Sequence, residues 1–296
     1  MKKILLCALL ALLSVNISAQ TIQSPSGKLS LTFALTSNGE PTYNLLFGNK
    51  PIIQTSKLGL ELKDAPAFMN GFSISRIDSN LIDETWEPVW GELKTIRNHY
   101  RELAITLQQT AIGNRQLVIR FRVFDDGLGF RYEFPKQDQL NYFIVTNENT
   151  EFHLTGDHKA FWIPGDYDTN EYSYSTTKLS EINAFRGRSA NEISTRTIIA
   201  ENAVQTPLMI KSTDGIYSNI HEAALVNYPA MHLMIDKNNF KLTSHLVPSA
   251  VGDKAFLQTP FHTPWRTIVI SDKATDILAS KLILNLNEPS KIADAN

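Results

Sequence analysis

The stretch LVIRFRVFDDG, residues 117–127, decides the fold class of this chain. Leu117, Ile119, Phe121 and Val123 recur at every second position, which is the spacing of a β-strand with one face on a core. Asp126-Gly127 follows at once and is a turn signal, because both residues tolerate the backbone angles of tight hairpins. The stretch therefore predicts a strand that turns back into an antiparallel sheet.

The same alternation of apolar residues recurs in residues 29–35 and 103–107. Further turn signals lie between such stretches, at Ser26-Gly27, Asn38-Gly39, Gly48-Asn49, Gly113-Asn114, Asp214-Gly215 and Gly252-Asp253. Helical spacing of apolar residues is sustained only at about residues 274–284, which predicts one short helix. We therefore predict an all-β fold of antiparallel sheets with one short C-terminal helix, built as one unit over residues 20–287.

The charge of the chain restricts its partners. The 28 Lys and Arg residues almost balance the 30 Asp and Glu residues, for a formal net charge of −2 at pH 7. Binding to nucleic acid relies on a strongly basic surface that neutralises phosphates. The composition therefore argues against a nucleic-acid partner.

The first nineteen residues have the features of a signal peptide. Lys2 and Lys3 precede an apolar run over residues 4–13, and Ile17-Ser18-Ala19 resembles a small-residue cleavage site. We predict cleavage before Gln20 and export to the periplasm or the medium. The only cysteine, Cys7, would be removed, so the mature chain would have no disulfide and no cysteine ligand for zinc.

The segment WIPGDYDTNEYSY, residues 162–174, interleaves aromatic rings with side-chain oxygens. Sugar binding needs both, because flat apolar faces pack on sugar rings and polar groups bind the hydroxyls. The candidate sugar-binding residues are Asp166, Asp168, Asn170 and Tyr172. The oxygens of this segment, including those of Glu171, also suit a hard cation such as calcium. The alternative is a solvated acidic loop whose aromatic residues only pack beneath it.

A second cluster, WEPVWGE over residues 86–92, holds two tryptophans and two glutamates. Glu87 and Glu92 suit the acid and base of glycoside hydrolysis only if they face one another across a bond, which their spacing does not establish. We favour the alternative, in which Trp86 and Trp90 pack together and seal the sandwich.

Six segments together resemble the N-terminal domain of glycoside hydrolase family 97. They occur in the family's order and cover nearly all of the chain after residue 19: residues 83–92, 96–100, 124–131, 220–225, 263–267 and 286–289. Members of this family resemble bacterial exported α-glucosidases or α-galactosidases. The resemblance implies a galactose-mutarotase-like β-supersandwich, followed in the family by a (β/α)₈ barrel and a small C-terminal β domain.

The resemblance also implies where the chemistry lies. The family's catalytic carboxylates and most calcium ligands are on the barrel, so none is carried over to this chain. The N-terminal domain contributes one glutamate to the active-site calcium, and Glu171 matches it, with Glu222 as the alternative. Residues 288–296 are expected to be a truncated linker toward that barrel, which this sequence does not contain.

Three functions are compatible with these observations. The first is a domain that completes the site for an α-glucoside or α-galactoside together with a barrel in cis or in trans, and that is inactive alone. The second is a stand-alone exported carbohydrate-binding module. The third is a mutarotase-like enzyme that acts on free sugars.

Overall fold

Short antiparallel strands make up most of the computed structural model, which describes residues 19–187 and 197–291. In chain order, the strands of the described residues are β1 (Gln20–Gln23), β2 (Leu29–Leu35), β3 (Pro41–Phe47), β4 (Lys50–Lys57), β5 (Leu60–Leu62), β6 (Ala65–Phe68), β7 (Ser73–Trp86), β8 (Ile96–Gln109), β9 (Arg115–Phe124), β10 (Gly127–Phe134), β11 (Tyr142–Glu148), β12 (Glu151–His153), β13 (Lys159–Trp162), β14 (Ser175–Lys178), β15 (Ala203–Gln205), β16 (Leu208–Lys211), β17 (Tyr217–Ala223), β18 (Met231–Asp236), β19 (Lys241–Leu246), β20 (Ala255–Gln258), β21 (Phe261–His262) and β22 (Trp265–Ser271). The helices are α1 (Ala274–Ala279) and α2 (Leu282–Asn285), with single 3₁₀ turns at Thr110–Ile112, Leu179–Glu181 and Ala184–Gly187. The predicted all-β fold is confirmed.

Three sheets organise these strands. The first sheet has the order β1-β2-β3-β4-β12-β19-β18-β15. The second has the order β14-β13-β16-β17-β22-β10-β9-β8-β7, with β21 paired to β10, and the small third sheet has the order β20-β11-β5-β6. The long hairpin β7–β8 forms one end of the second sheet.

The two large sheets pack face to face across one hydrophobic core. Leu117, Ile119, Phe121 and Val123 of β9 are all fully buried, as the period of two predicts. The ring of Phe121 lies 6.1 Å from the ring of Phe33 on β2, which joins the inner faces of both sheets. Alternating burial on two facing sheets is the packing of a β-sandwich.

The C-terminal helical segment differs in detail from the predicted helix, because two short helices stand in its place. They are separated at Ser280, whose hydroxyl donates to Asp126 Oδ2 at 2.7 Å and accepts from the backbone N–H of Leu282 at 3.2 Å. Of the predicted apolar positions, Leu282 is buried, whereas Leu278 is 88% exposed and Leu284 is 46% exposed. The non-helical backbone of Ser280 interrupts the helix, and the apolar residues on its two sides differ in burial.

Two glycines of β10 explain how this segment packs on the second sheet. A Cβ atom at Gly127 would lie 2.6 Å from Leu282 Cδ1, and one at Gly129 would lie 2.5 Å from Leu286 Cδ1. At Gly127 a Cβ atom would also clash with the backbone carbonyl oxygen of Ile268 on β22, so a side chain there would disturb the packing of the strand as well as that of Leu282. Trp265 of β22 lies in the same small cluster, which is a second hydrophobic core outside the sandwich.

The predicted signal peptide, apart from Ala19, and residues 292–296 lie outside the described residues. Glu288, in the predicted linker, lies 3.7 Å from Nη1 of Arg131. Among residues 19–187 and 197–291, no helix is long and apolar enough to cross a bilayer.

Candidate functional site

The segment singled out in the sequence is the connection between β13 and β14. Trp162 anchors its start, because the ring is buried and its Nε1 donates to Thr177 Oγ1 on β14 at 3.0 Å. The chain then crosses to β15, where the Gly165 N–H donates to the Ala203 carbonyl at 2.9 Å. Residues 166–172, which we call the Asp166 loop, follow directly.

Asp166 holds the loop together from inside. Its side chain is only 2% exposed, and Oδ1 accepts the backbone N–H groups of Asp168 at 2.8 Å and Thr169 at 3.3 Å. Oδ2 accepts the hydroxyl of Tyr172 at 2.6 Å. Burial alone would raise the pKa of Asp166, but these hydrogen bonds outweigh it and hold the pKa below its usual value. Both oxygens therefore accept hydrogen bonds within the loop and shape it, and the sugar-binding role of Asp166 stays a prediction.

A row of three polar side chains supports the loop from below. Gln205, His232 and His245 lie directly opposite one another on β15, β18 and β19. Gln205 Nε2 donates to the Thr169 carbonyl at 2.6 Å, and His232 Nε2 donates to the Asp166 carbonyl at 2.9 Å. On β18 the neighbours Met231 and Leu233 are in the core, so strand alternation places His232 on the opposite face, beneath the loop.

Tyr167 connects the loop to both histidines. Its hydroxyl hydrogen-bonds Nε2 of His245 at 2.6 Å, and its ring stacks on the His245 ring at 5.8 Å. The same ring meets His232 edge to face at 6.1 Å. These contacts fix the backbone of the loop at three points, through Gln205, His232 and Tyr167.

The histidines under the loop are held in their neutral form. Burial, reinforced by the positive charge of Lys254 and by the electrostatic influence of the neighbouring His232, lowers the pKa of His245 to about 4. Burial also lowers the pKa of His232, although its hydrogen bond to the Asp166 carbonyl opposes the shift. Because Nε2 of His232 donates, Nδ1 carries the lone pair, and this buried atom has no partner among the described residues.

The tip of the Asp166 loop is open to solvent. Asp168, Asn170 and Glu171 are exposed, and Tyr172 is half-buried. The backbone N–H of Glu171 donates to Thr169 Oγ1 at 3.1 Å, while its carboxylate makes no hydrogen bond or ion pair with any described residue. Asp168 accepts a hydrogen bond from the Thr197 hydroxyl. The loop thus combines a fixed backbone with an exposed carboxylate.

Glu222, the alternative metal ligand, has a different environment. It is buried, and its Oε2 lies 2.6 Å from Nη1 of Arg266, while Oε1 accepts the Met231 N–H at 3.1 Å. Arg266 is fully buried and also binds Glu148 through Nε at 2.8 Å and Nη2 at 2.7 Å. Tyr228 and Thr150 donate their hydroxyls to Glu148. We call these residues the Arg266 network.

The charges of the Arg266 network explain its pKa shifts. Burial raises the pKa of Glu222, and the nearby Arg266 opposes this only in part. Burial would also raise the pKa of Glu148, but the positive charge of Arg266 and its hydrogen bonds to Glu148 outweigh burial and lower the pKa. Both oxygens of Glu222 are engaged inside the molecule, which leaves Glu171 as the exposed carboxylate of the two candidates.

The WEPVWGE segment forms the turn of the β7–β8 hairpin. Trp86 Nε1 donates to Asn285 Oδ1 at 2.9 Å, so this ring ties the hairpin to α2. Trp90 is 86% exposed, so the favoured interpretation, a tryptophan pair that seals the sandwich, is wrong. The turn protrudes beyond the end of β9 and has no core to pack against, because β9 pairs with β8 only as far as Tyr100. Glu87 and Glu92 are both exposed on this turn.

The described residues do not form a complete metal site. They contain no group of three or more His, Cys, Asp and Glu side chains arranged to hold an ion. Calcium takes six to eight oxygen ligands, so the exposed tip of the Asp166 loop could supply only part of a coordination shell.

The fold and the loop define the class of this chain as an antiparallel β-supersandwich with a polar loop fixed on one face of its first sheet. A family model described as Glycosyl-hydrolase 97 N-terminal matches residues 22–289. The chain therefore belongs to this family, and the resemblance found in the sequence is confirmed.

Solved structures and curated relatives agree with this assignment. A glycoside hydrolase family 97 enzyme from Pseudoalteromonas sp. strain K8, in complexes with acarbose and with panose, matches with a TM-score of 0.82 and 36% identity. The match covers 93% of this chain and 39% of that one. A retaining α-galactosidase from Bacteroides thetaiotaomicron is 24% identical over 99% of this chain and 45% of its own length. This chain thus spans less than half the length of these relatives.

The residues beneath the loop were missed by sequence reasoning. His232, His245 and Gln205 lie more than thirty residues beyond the loop in the chain, and no spacing motif joins them. The available signal was the alternation of polar and core residues in β18 and β19, which marks an outward face without showing what covers it.

Proposed function

We propose that this domain completes the sugar-binding site of a family 97 glycoside hydrolase, with the tip of the Asp166 loop facing a catalytic barrel in cis or in trans. The observation that carries the proposal is the exposed Glu171 carboxylate on a loop whose backbone is fixed from beneath by Asp166, His232 and Gln205. A fixed backbone that presents polar side chains outward is an arrangement that suits a shared active site.

In this proposal Glu171 supplies one carboxylate oxygen to a calcium ion, and the barrel supplies most of the remaining ligands. Asp168, Asn170 and Tyr172 lie beside Glu171 and contact the sugar or its bound water. Calcium would bind weakly to the isolated domain, since one charged ligand falls far short of the usual shell. The substrate class is an α-glucoside or α-galactoside, by analogy with the relatives.

The domain alone is proposed to be inactive, because glycoside hydrolysis needs two positioned carboxyl groups and Glu148 and Glu222 are both paired with Arg266. The test is an assay of the purified chain on aryl α-glucosides and α-galactosides. Turnover that disappears in Glu87→Gln or Glu92→Gln would contradict the proposal and assign catalysis to the hairpin turn. Interconversion of free sugar anomers by the chain would instead favour the mutarotase-like alternative.

The metal role is tested in a fusion of this chain to a family 97 barrel. Glu171→Gln should raise the calcium concentration needed for half-maximal hydrolysis at least tenfold. Glu87→Gln, which replaces another exposed glutamate, should leave that concentration unchanged. Equal calcium dependence in both variants would contradict the assignment of Glu171.

We further propose that the chain is exported after cleavage behind Ala19. The intact mass of the exported chain tests this cleavage site.

A further inference from the structure

The third, small sheet has an unusual outer face. On β11, Phe143 and Val145 point into the core and are buried, so Tyr142 and Ile144 point outward. On β20, Ala255 and Leu257 are buried in the same way, and Phe256 and Gln258 point outward. Solvent-facing positions usually carry polar side chains, yet Tyr142 is 72% exposed and Phe256 is 58% exposed.

The two exposed rings are neighbours. Tyr142 pairs with Gln258 and Ile144 pairs with Phe256, so the rings lie on a diagonal of adjacent antiparallel strands. Diagonal positions are about 7–8 Å apart, within reach of large side chains. We call Tyr142, Ile144 and Phe256 the aromatic strip.

A cavity lies at each end of the aromatic strip. One has a volume of about 400 Å³ and is lined by Tyr142 together with Lys63, Asp64, Asp138, Gln139 and Asn141. The other has a volume of about 430 Å³ and is lined by Phe256 together with Asn227, Pro248, Ser249 and Lys254. Each cavity therefore combines aromatic side chains with several hydrogen-bonding side chains.

The charges around the first cavity disfavour an anionic ligand. Lys63 forms an ion pair with Asp253 at 2.7 Å, and the remaining charged side chains of the lining are Asp64, Asp138 and the buried Arg115, for a formal net charge of −1. A phosphate or a uronic acid would gain little from this lining. Amide and hydroxyl groups beside an exposed ring instead suit the hydroxyls and the apolar face of a neutral sugar.

The second cavity leads toward the Asp166 loop. Ala230 and Val247 line this cavity, and each is two residues from a histidine beneath the loop, His232 on β18 and His245 on β19. The cavity beside Phe256 therefore adjoins the ends of the two strands that support the Asp166 loop.

We propose that the aromatic strip binds the distal sugar units of a neutral α-linked oligosaccharide whose other end lies at the Asp166 loop. The proposal rests on the proposed function for the identity of the ligand, and it assigns a second, separate role to Tyr142 and Phe256. Units that stack on the two rings extend into the cavities, where the amide side chains bind their hydroxyls.

The test measures binding of panose and maltoheptaose to the purified chain by calorimetry and by NMR titration. The wild-type chain should bind maltoheptaose more tightly than panose, and the Tyr142→Ala/Phe256→Ala double variant should lose at least tenfold in affinity for maltoheptaose. Trp90→Ala is the matched control, because it removes an 86% exposed ring on the distant hairpin turn and should change the affinity less than twofold. Melting curves of both variants should match the wild type, since the replaced side chains are exposed.

Several outcomes would overturn the proposal. Equal affinity of the double variant and the wild type for maltoheptaose would do so, and so would the absence of maltoheptaose binding at millimolar concentration. A wild-type dimer in light scattering that becomes a monomer in the double variant would also do so, because the strip would then be a contact between two copies of the chain. Failure of the proposed function is separate, because it appears as unchanged calcium dependence of the barrel fusion in Glu171→Gln. If maltoheptaose binding is lost in the double variant but retained in Glu171→Gln, the proposed role of the aromatic strip is supported. This holds whatever the calcium dependence of the barrel fusion is.

Discussion

Glu171 lies at the exposed tip of the Asp166 loop, whereas Glu222 lies inside the molecule against Arg266. Both glutamates lie within residues 22–289, which the family model matches, and both were candidates for the same metal. The carboxylate of Glu222 neutralises the buried Arg266, whereas the carboxylate of Glu171 is exposed to solvent. The comparison teaches that the availability of a carboxylate depends on the charges that surround it, and that its residue type alone says little about its role.

The largest expected effect is a loss of unfolding free energy in the buried Arg266 network. Glu148→Gln removes one of the two negative charges that neutralise Arg266, and breaking a buried ion pair costs about 3–5 kcal/mol of unfolding free energy. Urea denaturation at neutral pH measures the loss. Lys50→Met is the control, because its ion pair with Asp214 is exposed and is worth less than about 1 kcal/mol. Similar losses of unfolding free energy in both variants would show that the buried ion pairs of Arg266 contribute no more than an exposed ion pair.

The next effect is a pH dependence that arises beneath the loop. The pKa of His245 is about 4 in the folded chain and near ~6.5 when unfolded, so unfolding takes up a proton between these values. Stability should therefore fall as pH decreases from about 6.5 to 4, by on the order of 2–3 kcal/mol. His245→Phe should remove this component while the acid dependence from carboxylates remains. Identical pH profiles of the variant and the wild type would contradict the pKa shift.

A smaller effect is expected from the residue that holds the loop together. Asp166→Ala leaves the Tyr172 hydroxyl and two backbone N–H groups without their acceptor, which costs about 1–3 kcal/mol. Amide exchange over residues 166–172 should accelerate more than exchange in β9. Because the folded pKa of Asp166 is lowered, its stabilisation is present above the ordinary pKa of about 4 and is lost as pH falls through the folded value. An unchanged exchange rate in the loop would show that Gln205, His232 and His245 hold the loop in place without the Asp166 carboxylate.

The smallest effect on stability is expected at Glu171. Its carboxylate is exposed and unpaired among the described residues, so Glu171→Gln should change the unfolding free energy by less than about 0.5 kcal/mol. The thermal melt of the isolated chain measures this change, and the barrel fusion measures the effect on calcium dependence. A loss of several kcal/mol would place Glu171 in a folding role and would remove the basis for its proposed metal role.

The sequence by itself determined the fold class and the family. A period of two depends only on the geometry of a strand, so Leu117, Ile119, Phe121 and Val123 identified a buried face before any partner strand was known. Glycine-containing dipeptides such as Gly113-Asn114, where both residues have a positive φ, marked turns for an equally local reason, whereas the turn near Asp126-Gly127 is formed by Asp125 and Asp126, and Gly127 begins β10. The order of the family segments then identified the domain.

Only the tertiary structure decided which polar residues were available to a ligand. Asp166 and Asp168 are two positions apart, yet one is buried and bonded within the loop while the other is exposed. The difference arises because His232, His245 and Gln205 come from distant strands and meet under the loop only when the first sheet forms. Long-range contacts of this kind leave no periodic pattern in the sequence, and the same holds for Arg266, whose burial between Glu148 and Glu222 withdraws Glu222 from the surface.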